Sequence, residues 1–304
     1  MQKFCYTVRM SKKSHMGLKV AATLAAAAAI LGGALWLARY RHAAVRTAER
    51  KSMLDRFGLV GDGTQDFVAL PHSLTHRAPA ARLGERLFTD RRIARNPYRV
   101  CGACHRLNAG GIDARALGGV LARPAYNAAA AEVFLHDGSV TGMPALVRRM
   151  IEDDRFCAGG PLSNVVARLS NDEKTIRDFQ FAYEDGITAS NIVDAIVQYE
   201  RTLFTAGQKF DFWCSGRKNA LDEGQLRGME VFRRQNCLSC HDGPALGTLK
   251  VVGGKKVPGL RGLSERKAYL PDARTDLGAV LTLMPGGNLE QEDRAALVSF
   301  LKAL

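Results

Sequence analysis

The chain has 304 residues, 46% of them apolar, and a formal net charge of +13. That balance fits one or two domains with real cores and excludes a low-complexity or fully disordered chain. The charge is uneven: residues 1–51 carry ten Lys and Arg against Glu49 alone, while the remaining 253 residues carry 33 basic and 29 acidic groups. A basic excess confined to one end, with no basic face on the body, argues against nucleic-acid binding.

Residues 1–19 are polar and basic, with Lys3, Arg9, Lys12, Lys13 and Lys19. They read as a cytoplasmic segment. Residues 20–38 form a charge-free run of nineteen, rich in Ala. At about 1.5 Å per residue this suits a helix across a hydrocarbon core about 30 Å thick. The run is expected to be a transmembrane anchor. A cleaved secretory signal is the alternative, but the run is longer than a usual signal core and no clear Ala-x-Ala site follows. Arg39, Arg41 and Arg46 flank its far end, so charge alone gives no orientation. Residues 39–78 read as a linker, interrupted by Gly61, Gly63 and Pro71. Residues 83–88 read as a short helix running toward Cys101-Gly102-Ala103-Cys104-His105.

The order Cys-x-x-Cys-His returns at Cys237-Leu238-Ser239-Cys240-His241. It is the attachment sequence of a c-type haem. Two thiols on one turn add to the two vinyl groups, and the adjoining imidazole ligates the iron. Two copies by chance are expected at of order one in a hundred thousand for this composition. A four-Cys zinc site does not require a His directly after each pair. Two covalent haems are therefore expected, held by Cys101, Cys104 and His105 and by Cys237, Cys240 and His241. Thioether attachment is a reaction of the outer side of the bacterial inner membrane, so the body is expected in the periplasm, anchored by residues 20–38. Haem carboxylates would bring that body near neutrality. Of seven cysteines, Cys5, Cys157 and Cys214 remain. Cys157 and Cys214 are either a disulfide or two free buried thiols.

Further along, residues 143–150 start a helix. Residues 190–204 form an amphipathic helix with Ile192, Val193, Ile196, Val197 and Leu203 on one side and Ser190 as cap. The helix over 223–234 is capped by Asp222 and buries Leu226, Met229 and Phe232. The last helix, over about 290–303, turns Leu297, Phe300, Leu301 and Leu304 inward. No stretch alternates strictly enough to be a sheet. The fold is expected to be all-α: two tandem cytochrome c-like domains, 79–215 and 216–304, each wrapped around one haem behind the transmembrane helix. A weak internal repeat supports duplication. Phe134-Leu135-His136-Asp137-Gly138-Ser139 follows the first motif and Tyr269-Leu270-Pro271-Asp272 the second. Met150 lies fourteen after His136, and Met284 thirteen after Pro271.

Several strings now form a known pattern: Leu83-Gly84-Glu85-Arg86-Leu87-Phe88, Ala195-Ile196-Val197-Gln198-Tyr199-Glu200-Arg201-Thr202-Leu203-Phe204, Phe210-Asp211-Phe212, and Cys240-His241-Asp242-Gly243-Pro244. Over residues 80–304 the chain resembles the bacterial di-haem cytochrome c peroxidase / MauG family. The resemblance implies hydrogen peroxide reduced at the first haem. Electrons from a small cytochrome c or cupredoxin would enter through the second. It implies Met284 as sixth ligand of the second iron, where a thioether raises the potential. It also implies calcium between the domains and a homodimer. The family's Trp, Gln and Glu around the first haem fall here at His136, Leu146 and Phe156. His136 and Glu152 are the candidate catalytic residues left. The outer face of the first haem is taken by Met150, by His136, or by nothing. If Met150 closes it, the chain is a membrane-tethered electron-transfer cytochrome without turnover; if His136 does, the site is closed at rest. A MauG-like maturation role would need a Tyr where Met284 stands.

Overall fold

The computed structural model describes residues 66–111, 122–247, 249–266, 268–269 and 275–304, with separate positions between 32 and 55. It divides into two compact units, 1–52 with 62–64 and 53–61 with 65–304. In the first unit, the described positions from 32 to 52 are helical. Residues 20–31 of the expected anchor lie outside the described residues, and no described helix is long and apolar enough to cross a membrane. The second unit is mostly helical, as expected.

Its frame is two helix crossings of one design. Helix α1 (Ala78–Thr89) leads to the first Cys-x-x-Cys-His turn. Helices α2 (Met143–Glu152), α3 (Leu162–Leu169) and α4 (Glu173–Ala182) follow, and α5 (Ala189–Glu200) returns to pack on α1. After α6 (Lys209–Cys214), α7 (Glu223–Arg234) leads to the second turn. Helix α8 (Leu277–Leu281) precedes α9 (Gln291–Ala303), which packs on α7. A Cβ at Gly84 would sit 1.9 Å from the Ala195 carbonyl oxygen, and one at Gly228 2.0 Å from that of Ala296. Both crossings thus bring backbone against backbone, which only glycine permits. Four residues past each glycine is a phenylalanine. Phe88 meets the Tyr199 ring edge-on at 5.4 Å, and Phe232 meets Phe300 at 5.7 Å. The repeat that is faint in sequence is explicit in these pairs.

The ends of these helices follow local chemistry. Asp222 accepts from the Gln225 amide at 2.8 Å and Gln225 answers to the Asp222 amide at 3.1 Å, a capping box. Helix α5 is capped two residues earlier than expected: Thr188, not Ser190, accepts from the Asn191 amide at 3.1 Å. Thr188 is the residue with extended backbone, the conformation a cap requires. Ile192, Val193, Ile196, Val197 and Leu203 are all buried, as are Met229, Phe232, Leu297, Phe300, Leu301 and Leu304.

Two features differ from the sequence reading. Two short hairpins occur, β1 (Val133–Phe134) with β2 (Val140–Thr141) and β3 (Val251–Val252) with β4 (Lys255–Lys256). Two-residue strands are too short for alternation to register. The end of the expected linker is part of the body. Phe67 is buried in the second core, 5.2 Å from the Phe210 ring, and Leu74 is buried in the first. One Phe among three other rings outweighs the weak periodicity around it.

Candidate haem sites

Both motifs close the same turn. The His105 amide donates to Cys101 O at 2.9 Å, and the His241 amide to Cys237 O at 2.8 Å. Cys101, Cys237 and Cys240 are free, half-buried thiols, and Cys104 is half-buried on the first turn. His105 Nδ1 lies 3.4 Å from Gly111 O, and His241 Nδ1 3.2 Å from Leu246 O. The carbonyls of Arg123 and Pro258 also face those rings. A carbonyl can only accept, so Nδ1 carries the proton and Nε2 keeps its lone pair, the arrangement that a metal-ligating imidazole needs. Burial pushes both imidazoles below the usual His range, which keeps them in the neutral, ligating form. Phe88 lies 6.4 Å from the His105 ring and Phe232 6.5 Å from the His241 ring, so each crossing helix braces its own imidazole. A thiol pair and a pre-oriented imidazole, built twice, fit covalent haem.

Residues 78–219 match the family model for di-haem cytochrome c peroxidase. Over this stretch, which holds the first motif, the chain is similar to di-haem cytochrome c peroxidases. The chain is 30% identical over 289 residues to the cytochrome c peroxidase Ccp of Escherichia coli K12, covering 77% of this chain and 60% of that protein. It is 32% identical over 183 residues to the cytochrome c551 peroxidase of Nitrosomonas europaea, covering 56% of this chain and 53% of that one. The chain therefore spans little more than half the length of these curated relatives. A solved MauG-like protein associated with microbial copper homeostasis superposes with a TM-score of 0.65 at 17% identity, over 78% of this chain and 92% of that one. At that identity the likeness shows the fold.

The other residues singled out in the sequence fall in different places. Met284 is half-buried against the second core, in the turn between α8 and α9. Its amide donates to Leu281 O and its carbonyl accepts from the Gly287 amide, both at 2.9 Å. Met150 is half-buried at the end of α2, outside both main cores. Its carbonyl accepts from the Cys157 amide at 3.0 Å, and Cys157 packs against Cys101, which brings this end of α2 to the first motif. His136 lies in the β1–β2 turn, with Nδ1 buried and unpartnered. Glu152 accepts from the Leu162 amide at 3.2 Å and from Arg148 at 3.4 Å. Its carboxylate thus serves the start of α3. Leu146 packs on the first core and Phe156 lies under the Arg155 guanidinium, so neither replaces the polar residues of the family. Cys157 and Cys214 are separate free thiols in different apolar clusters. The Tyr269 repeat cannot be followed, because residues 270–274 lie outside the described residues. Among the described residues no group of three His, Cys, Asp or Glu gathers as a metal site, so none marks the expected calcium.

Sequence reasoning passed over Glu200. Its Oε2 is buried without a hydrogen-bond partner, and it faces Cys101 by charge. Burial raises its pKa from 4.5 to about 7. Nothing but an apolar neighbourhood at the end of α5 signals this. The native state then holds the Glu200 proton longer than the unfolded chain does. Stability contributed by this group is present below pH 4.5 and is lost as pH rises toward about 7. Glu200→Gln is expected to flatten that part of the stability profile in denaturant titrations; an unaltered slope would count against the assignment.

Proposed function

We propose that this chain is a periplasmic di-haem oxidoreductase of the cytochrome c peroxidase type. It reduces hydrogen peroxide with electrons from a small cytochrome c or cupredoxin. The observation that carries the reading is the twofold site: two thiol pairs, two imidazoles with Nε2 left free, and two braced crossings in one compact unit. Cys101, Cys104 and His105 hold one haem, and Cys237, Cys240 and His241 the other. When bound, haem supplies redox-active iron at each place. Met284 offers a thioether to the second iron. Residues 20–38 anchor the chain in the inner membrane. The exposed Leu35 and Leu37 on helical backbone just beyond residues 20–31 favour that reading.

Peroxide needs an exchangeable face at the first haem and a group that moves a proton between its oxygens. Glu152 is tied to α3, so it does this only by leaving the Leu162 amide. Leu146 and Phe156 contribute no polar group. These observations favour a second reading, an electron-transfer cytochrome without turnover, in which Met150 closes the first haem. The haem-loaded protein, mixed with reduced cytochrome c and peroxide, decides between them. Oxidation of the donor at the pace of peroxide loss supports the enzyme. Two haems with no peroxide consumption, also after half-reduction, would overturn it in favour of the carrier. If Met150 ligates, Met150→Ala is expected to convert a site closed to cyanide into one that binds it, seen in the Soret band. Equal cyanide binding before and after the change would leave Met150 a packing residue.

A further inference from the structure

Hairpin β3–β4 of the second half lies on hairpin β1–β2 of the first. The Lys256 amide donates to His136 O at 2.8 Å, and Gly138 backs directly on Val251. Lys256 is 7% exposed, and its ammonium lies 5.0 Å from the Phe134 ring centre. Arg123 brings its charge to the same place from the first half, with Nε buried and unpartnered. Arg266 arrives from the second half. It donates to the carbonyls of Gly259 at 3.1 Å and Arg261 at 2.6 Å, and the neighbouring Glu265 backbone packs on Gly110 behind the first motif. None of these three cations forms an ion pair among the described residues. Burial lowers Lys256 to about 8 and Arg266 to about 10, and the charge of Arg123 pushes both the same way. His136 is held below the ordinary His range by burial, Arg123 and Lys256. Asp137 also faces His136, but it is exposed and its carboxylate is bound to the Ser139 amide at 3.0 Å.

Like charges drawn together away from water, with no anion beside them, are costly unless an anion completes the set. The position of the set says which anion. The carbonyl of Arg123 faces the His105 ring. The carbonyl of Pro258, two residues past Lys256, faces the His241 ring. The backbone that carries the cluster thus runs past both imidazoles. Each haem carries two carboxylates on one edge, so two haems bring up to four, against the three cations and His136. We propose that Arg123, His136, Lys256 and Arg266 form a single anion socket shared by the two halves, occupied by the peripheral carboxylates of both haems. The inference rests on the two-haem reading and adds that one set of side chains serves both groups. A cation beside those carboxylates disfavours the ferric state, so it raises the potential of each haem.

The test uses haem-loaded full-length protein. A pyridine haemochrome assay on the unaltered chain comes first; fewer than two haems per chain would sink the two-haem reading and, with it, the socket. With two haems in place, Lys256→Met is expected to lower both midpoint potentials and to shift the carboxylate bands in redox infrared difference spectra. Lys256→Arg is expected to restore both. Unchanged potentials and bands overturn the socket, and a fall in one potential alone overturns the sharing. If Lys256→Met does not accumulate, Arg123→Gln with Arg123→Lys as its rescue gives the same readings from the other half. Inorganic phosphate separates the two sources of anion. Wild-type potentials that move with phosphate concentration, and stop moving in Lys256→Met, would assign the socket to a free anion and overturn the haem carboxylates as its occupants.

Discussion

Arg261→Ala is expected to lower stability by roughly 3–5 kcal/mol, the usual cost of stranding one partner of a buried ion pair. The Arg261 and Asp211 side chains are 1% and 6% exposed. Asp211 accepts from Arg261, from the Leu70 amide at 2.7 Å and from the Gln208 amide at 3.1 Å. Arg261 also donates to Leu304 O at 2.9 Å and to Val68 O at 3.4 Å. One pair thus ties the incoming segment, α6, the loop before α8 and the end of α9. Removing the guanidinium leaves a buried carboxylate on amide donors alone and strips two carbonyls of a partner. Exchanging both residues, Asp211→Leu with Arg261→Met, is expected to recover only part of the loss: it removes the stranded charge but leaves the Leu70 and Gln208 amides and the Leu304 and Val68 carbonyls without these partners. Denaturant unfolding of the two single variants and the double variant measures this. A single variant within 1 kcal/mol of wild type, at the scale expected for an exposed pair, would mean the pair is not buried in solution.

The second large effect concerns the helix crossings. Gly228→Val is expected to cost about 3 kcal/mol and to reduce haem content at the second motif. A Cβ there meets Ala296 O at 2.0 Å and Phe300 Cβ at 2.7 Å. Helix propensity favours replacing glycine by roughly 1 kcal/mol at most. Overpacking typically costs 1–3 kcal/mol, and here the obstacle is backbone, which cannot rotate aside. The helices must part. Phe232 then moves with them, and it is the ring braced against His241. Gly84→Val is expected to do the same at the first crossing, through Phe88 and His105. Denaturation midpoints and haem equivalents per chain read both results. A Gly228→Val chain of wild-type stability carrying two haems would show that the crossing is looser than its backbone contact indicates.

The sequence by itself determined the two attachment turns, the helices leading into and closing each half, and the mostly helical class. It did so because each signal is local. Cys-x-x-Cys-His is read within five residues, and the Asp222 cap and the apolar stripe of α5 within one or two turns. The kinship with di-haem peroxidases rests on such local strings too. Only the tertiary structure decided what depends on residues far apart in the chain. Asp211 and Arg261 look like ordinary surface charges until folding places them together at 6% and 1% exposure. Glu152 reads as a candidate catalytic acid until it meets the Leu162 amide, and nothing sets Lys256 apart until Phe134, His136 and Arg123 surround it. A charge's role is set by how much water it loses and which dipoles replace that water. Both are properties of packing between distant segments, and neither has a period or a spacing for a sequence to display.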